Sequence, residues 1–320
     1  MGHITFVHGI MNQPSPERLL TTWKRDLADG GDGVDLDVFG VSASMVYWAD
    51  VMYAAATDAG STQESIEYEG IEPGSLIEID ESYIDDATGD ERVFIDAMIA
   101  NYDLDHPDEP EVAVEPPSEP EPETSGDVRV AAASALEAVP LPWFIKRPLM
   151  RVLLRDVHHY LFNTSHSPRA GSSYQVRDEV RGRFVNDLAT VDDGPHVVVA
   201  HSLGSVIAYD CVKRVADTKP VDMLITLGTP LGLSEVQHKL KPEWSKADGY
   251  PGRLPRWINV VDRLDPVCAA DPIITNDYQR GEQAIVVDEV VSNGGVMRHP
   301  SGKYFRQKVV QQAVRDGLGL

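Results

Sequence analysis

The sequence predicts an α/β protein whose mostly parallel sheet is flanked by helices. Three observations carry that expectation. Short continuous apolar runs, ITFV at 4–7 and VVVA at 197–200 among them, have the length and β-branched content of strands buried on both faces. Stretches with helical apolar spacing separate these runs, so strands and helices alternate along the chain. The composition is that of a globular chain, with 320 residues, 42% hydrophobic and 25% charged.

Taken in order, Ile4–Val7 reads as a short buried strand ended by His8 and Gly9. Pro14, Ser15 and Pro16 open a helix with Leu19, Leu20, Trp23 and Leu27 on one face, stopped by Gly30 and Gly31. The alternation VDLDVFGV predicts a second strand over Val34–Val41, and Ser44–Ala56 reads as an apolar helix. Further on, Ser172–Ala189 reads as an amphipathic helix. His196–Ala200, Leu224–Leu227, Trp257–Val261 and Ala284–Val287 read as strands. Leu203–Val215 and Lys303–Arg315 read as helices. The domain plan is a core in two parts, 1–57 and 172–320, interrupted by an acidic insert at 58–127 and an apolar, basic cap or lid region at 128–171.

The net charge of −23 is concentrated in that insert. Residues 58–127 hold 23 acidic side chains and one basic residue, Arg92, while the remainder is close to neutral. The Pro- and Glu-rich stretch 103–126 is expected to be disordered or an extended linker, because it has too little apolar surface to offset ordering entropy. Such a charge distribution argues against nucleic acid as a partner. It leaves a basic partner for the insert as one expectation. Residues 143–162 mix apolar residues with Lys146, Arg147, Arg151 and Arg155, and two readings stand side by side: an interfacial helix making weak contact with a membrane surface, or ordinary core packing.

No apolar run is long enough to span a bilayer, and the opening MGHITFVHG lacks the basic region of a signal peptide. Cys211 and Cys268 do not make a disulfide framework and are expected as buried thiols in a reducing cytoplasm. His158, His159 and His166 lack carboxylate partners at ligand spacing, so no metal is expected, and no organic cofactor.

The chemistry concentrates in HVVVAHSLGSVIAYD at 196–210. A buried strand runs into Ser202 and a helix leaves it, with small residues two before and two after, Ala200 and Gly204. This is the G-x-S-x-G strand–serine–helix turn with Ala in the first position, flanked by His201 and Leu203. At the start of the helix the backbone N–H of Leu203 is placed to hold an oxyanion. His8 and Gly9 directly follow the first strand, and Gly9 lets the backbone approach a substrate, making the N–H of Ile10 the second donor. A serine needs a base, and the base needs an orienting carboxylate. In the chain order Ser, acid, His, Asp265 in the loop after Trp257–Val261 is the chosen acid and Asp262 the alternative. His299, the one histidine after them, is the base.

On these residues the chain resembles the α/β-hydrolases of lipase and esterase type. HSLGSVIAYD at 201–210, LGTPLG at 227–232 and Asp265-Pro266-Val267 resemble the intracellular lipases that include DDHD-type phospholipases A1. The likeness covers residues 1–50 and about 170–320, not 58–145. It departs from the family at Ala200, and in having no further strands before the His-Gly strand. It implies a serine hydrolase acting on carboxylic esters, with an ester or lipid-like substrate. Peptide or thioester cleavage by the same triad, and a non-catalytic interaction protein, are the alternatives.

Overall fold

In the computed structural model, the structure describes residues 1–56, 82–102 and 143–320, except positions 31, 243, 269, 282 and 296; for 143–149 it describes the backbone alone. Most of the acidic insert, including the stretch expected to be disordered, lies outside the described residues.

The strands are β1 (His3–Val7), β2 (Ser42–Val46), β3 (Ser165–His166), β4 (Tyr174–Gln175), β5 (His196–His201), β6 (Met223–Leu227), β7 (Arg256–Asp262), β8 (Gln279–Arg280), β9 (Gln283–Ala284) and β10 (Val287–Val291). The helices are α1 (Pro16–Ala28), α2 (Ala49–Met52), α3 (Ser82–Asp86), α4 (Asp90–Tyr102), α5 (Trp143–Phe162), α6 (Val176–Ala189), α7 (Leu203–Arg214), α8 (Ser234–Lys239), α9 (Ser301–Phe305) and α10 (Lys308–Leu318). Six strands form one sheet in the order β10-β7-β6-β5-β1-β2, and every neighbouring pair is parallel. This is an α/β fold with a central parallel sheet flanked by helices.

The continuous apolar strands are explained by two cores, one on each face. Ile4 and Phe6 of β1, with Val197 and Val199 of β5, point into a cluster closed by Leu19, Trp23 and Leu27 of α1 and by α9 and α10. Val7, Val198 and Ala200 point the other way, into a cluster closed by α4, α5, α6 and α7. Winding proceeds from β1 in both directions, to β2 on one side and to β5 on the other. The loops after β1 and β5 therefore diverge at the carboxyl ends of adjacent strands, which is where open α/β sheets form their crevice.

Several expected elements differ. Val34–Val41 is not a strand but a series of turns. Asp35 Oδ1 accepts the N–H groups of Asp37 and Val38, closing a side-chain turn, and Gly40 has φ +66°. The apolar alternation there serves Val34, Leu36 and Val41, which plug the α1 side of the core. The strand is instead Ser42–Val46, the sheet's edge. Ser44–Ala56 is accordingly this strand and the single turn α2, although Val46, Trp48, Val51 and Met52 are buried as their apolarity suggested. The last strand is β10 rather than Ala284–Val287, and the C-terminal helix is broken at Arg306 and Gln307 into α9 and α10.

Within the acidic insert, α4 buries Phe94, Ile95, Met98 and Tyr102 against the core. In α5, Met150, Leu153, Leu154, Val157, Tyr160 and Leu161 are buried in the same cluster, so this part of 143–162 packs the core. Among the described residues no helix is long and apolar enough to cross a membrane.

Because Phe94 is buried and packs edge-to-face on Phe162, with ring centroids 5.4 Å apart, Phe94→Ala is expected to destabilise the protein by about 3 kcal/mol in denaturant unfolding. Val93, beside it but 70% exposed, should tolerate Ser within about 0.5 kcal/mol. Equal effects at the two positions would show that α4 is not part of the core.

Candidate active site

Ser202 occupies the whole connection between β5, which ends at His201, and α7, which starts at Leu203. Its backbone sits at φ 55°, ψ −130°, a conformation that non-glycine residues rarely adopt. The Ser202 N–H donates to the Leu227 carbonyl at 2.9 Å, tying the turn to β6. The small neighbours have a measurable reason. A Cβ on Gly204 would stand 2.4 Å from the Val7 carbonyl oxygen and 2.5 Å from that of His8, so α7 begins in contact with the end of β1. A Cβ on Gly9 would stand 2.6 Å from Ser202 Cβ, which places the loop after β1 directly against the serine. The N–H of Leu203 lies in the first turn of α7 and has no intrahelical acceptor.

His8 organises that loop. It is fully buried, stacked on Trp48 with centroids 4.8 Å apart, and its Nε2 accepts the Trp48 backbone N–H at 2.9 Å. Its Nδ1 therefore carries the hydrogen and donates to the Gly9 carbonyl at 2.9 Å. Burial pushes the His8 pKa down to about 4, so the imidazole is neutral.

Asp265 and His299, the candidate acid and base, meet across the ends of β7 and β10. His299 Nδ1 lies 2.9 and 2.8 Å from the two carboxylate oxygens of Asp265 and donates to them, which leaves Nε2 with a free lone pair. Asp265 also accepts the Val267 N–H at 2.9 Å and the Tyr304 hydroxyl at 2.7 Å. Asp262 does something else. Its Oδ1 accepts the Leu264 N–H, and its Oδ2 accepts the Asn293 N–H and a buried Arg298 guanidinium at 3.0 Å. Of the two candidate acids, the structure brings Asp265 to the histidine and uses Asp262 to hold the loops.

His201 donates through Nε2 to the His299 carbonyl at 2.7 Å, and the two rings lie 4.5 Å apart. Burial first, and then the neighbouring His299, hold His201 well below the ordinary imidazole range. Ser202 Oγ and His299 Nε2 are both buried and have no hydrogen-bond partner, including each other. Such bonds are often unmade without substrate. A surface concavity of about 710 Å³ between Lys24, Arg25, Asp29 and Asp37 lies apart from these groups.

Three contributing residues carry no sequence signal of their own. Gly228 has φ +53°, and a Cβ there would stand 2.7 Å from Asp265 Oδ2 and 3.2 Å from His299 Nδ1. Tyr304 bridges the Asp262 N–H and the Asp265 carboxylate. Ser205 donates to the Ser202 carbonyl and shares a hydrogen bond with the Thr229 hydroxyl. Gly228, inside the LGTPLG segment, and Ser205, inside HSLGSVIAYD, stand in stretches marked by the resemblance, and Tyr304 does not.

No known family matches the chain, and no curated protein matches it. Among solved structures it is similar to an uncharacterized protein from Pseudomonas aeruginosa, at 12% identity over 99% of this chain and 45% of that one, with a TM-score of 0.31. The chain thus spans less than half the length of that protein.

The buried neutral histidines have a thermodynamic consequence. The pKa values of His8 and His196 are pushed down to about 4, and that of His201 is lowered too, each chiefly by burial. In the unfolded chain these groups bind protons below about pH 6.5, and in the fold they do not until far lower pH. Their stabilising contribution is therefore complete above that pH and is lost as pH falls toward 4. The melting temperature is expected to drop between about pH 7 and pH 5, and less so in His196→Gln. A constant value across that window would contradict neutral burial.

Proposed function

We propose that the chain is a serine hydrolase of α/β-hydrolase type that cleaves carboxylic esters. The observation that carries the reading is the pairing of two features at one end of the sheet. Ser202 sits in a strained strand-to-helix turn, and an Asp265–His299 pair on the adjacent loops presents an unpartnered Nε2.

In the reaction Ser202 Oγ attacks the acyl carbonyl carbon while His299 Nε2 takes its proton. Asp265 holds the ring in the required tautomer and stabilises the imidazolium. The N–H groups of Ile10 and Leu203 receive the negative oxygen of the tetrahedral intermediate. The proton on Nε2 passes to the leaving alkoxide, the C–O bond breaks and an acyl-serine remains. Water then gives its proton to Nε2, attacks the acyl carbon and releases the acid, with the proton returned to Ser202.

An ester of lipid-like acyl character is the substrate class we propose, in keeping with the apolar core to which Ile10, Leu203, Leu231 and Val267 belong. The two cysteines, both buried and free, support a cytoplasmic setting.

Ser202→Ala is expected to fold and to lose hydrolysis of a short-chain p-nitrophenyl ester by about 10⁴-fold or more, with loss of fluorophosphonate labelling. Asp265→Asn should cost about 10⁴-fold in turnover by favouring the wrong His299 tautomer. Asp262→Asn should act through stability, since it disturbs the Arg298 pair. A wild-type protein that neither labels nor turns over any ester, thioester or peptide in a substrate panel would favour the interaction-protein alternative.

A further inference from the structure

We propose that Asp156 and Gln13 are positioning residues that clamp the Ile10–Met11 peptide from its two ends and so hold the oxyanion loop against Ser202. The inference rests on the hydrolase reading and deepens it. Asp156 lies on α5, 145 residues from the loop it touches and outside every motif discussed above.

The geometry is that of one rigid plane held at both edges. The Met11 N–H donates to Asp156 Oδ2 at 3.2 Å. Gln13 Nε2 donates to the Ile10 carbonyl at 2.9 Å. A trans peptide is planar, so fixing its N–H and its C=O fixes the unit. The peptide before it is held as well, because the Gly9 carbonyl accepts His8 Nδ1. In a trans unit the Ile10 N–H points away from that carbonyl. With both planes fixed, Ile10 has no backbone rotation left by which its N–H could turn from an oxyanion.

The loop needs such restraint. Met11 has φ +74°, which costs a non-glycine residue about 1–2 kcal/mol and persists only where the surroundings impose it. Asp156 is suited to impose it. It is fully buried, and its Oδ1 is held by Arg155 Nε at 2.9 Å and Nη2 at 2.6 Å, leaving Oδ2 for the Met11 N–H, with the Tyr53 hydroxyl 3.4 Å away. Donors fixed before reaction need no reorganisation when charge develops, and one such donor is worth about 10²–10³ in turnover.

The test compares Asp156→Asn and Gln13→Met with the wild-type protein. In Asp156→Asn the amide oxygen stays with Arg155 and the NH2 group turns a donor toward the Met11 N–H. The expected result is a kcat about 10- to 100-fold lower, with KM changed less than about twofold. Affinity for a trifluoromethyl ketone, whose adduct oxyanion occupies the hole, should fall by the same factor as kcat/KM. A merely structural role would lower kcat only in proportion to the folded fraction and leave the ketone affinity of the folded protein unchanged; that result overturns the clamp. Gln13→Met keeps the Asp156–Arg155 pair and carries the test should Asp156→Asn fail to fold. It is expected to show the same signature, and wild-type kcat in folded Gln13→Met would also sink the proposal. Fluorophosphonate labelling of wild-type Ser202 separates the two failures. Without it the hydrolase reading falls and takes the clamp with it, whereas labelled protein with unaffected variants removes the clamp alone.

Discussion

The structure turns on a strand-to-helix reversal made by one residue. With no loop between His201 and Leu203, Ser202 must take a left-handed φ, and α7 must start close enough to β1 that position 204 has no room for a side chain. A backbone of this kind costs roughly 1–3 kcal/mol. It survives because β5 is bonded on both sides, to β1 and β6, and buried on both faces, so no cheaper conformation of the turn leaves the sheet intact. Gly9 follows from the same constraint. Once α7 abuts β1, the loop after β1 is forced against Ser202, and a side chain there would overlap the serine.

Burial decides the electrostatics around that turn. A carboxylate removed from water must have its oxygens occupied, and Asp265 and Asp262, three residues apart, satisfy this in different ways. Asp265 gathers an imidazole N–H, a backbone N–H and a phenol. Asp262 gathers two backbone N–H groups and a guanidinium, so its negative charge is matched by a fixed positive one. Only the first arrangement puts an imidazole against the carboxylate, which is what the proposed reaction needs of it. Tyr304 joins the two, accepting from the Asp262 N–H and donating to Asp265, and the tight turn at Gly228 gives the pair room.

What was legible in the sequence follows from what continuous burial does to composition. β1, β5, β6 and β7 lie inside the sheet, so their residues are mostly apolar and their ends stand out. The Ser202 turn was legible because small residues are needed at fixed offsets from it, and the Asp265–His299 pairing because the two residues follow it in order near the ends of later strands. The edges were not legible. β2 is built of Ser, Ala and Met and pairs on one side only, with Ser42 and Ser44 bonding His3, so its polarity resembles a loop. The neighbouring Val34–Val41 mimics a strand because three plugs into the core fall near alternate positions, while Asp35 closes turns. Helix α4 was obscured by the acidic residues on its outer face. Tyr304 and Asp156 left no local trace, since each acts through hydrogen bonds to a loop far away in sequence.

These long-range bonds change how the insert relates to the site. α4 precedes residues 103–142 and α5 follows them, and each helix touches a different loop beside Ser202. The Tyr102 hydroxyl donates to the Val267 carbonyl at 3.0 Å, on the same residue whose N–H holds Asp265. Asp156 accepts the Met11 N–H on the opposite side. The Tyr102 contact is buried and the Asp156 carboxylate is fully buried, so breaking either bond strands a polar group away from water at a cost of about 1–3 kcal/mol. α4 is therefore bonded to the Asp265 loop and α5 to the loop after β1. A displacement of either helix is transmitted to the loop it holds through a single, directional bond, so the positions of Asp265 and of the Ile10–Met11 peptide depend on α4 and α5 as well as on the sheet.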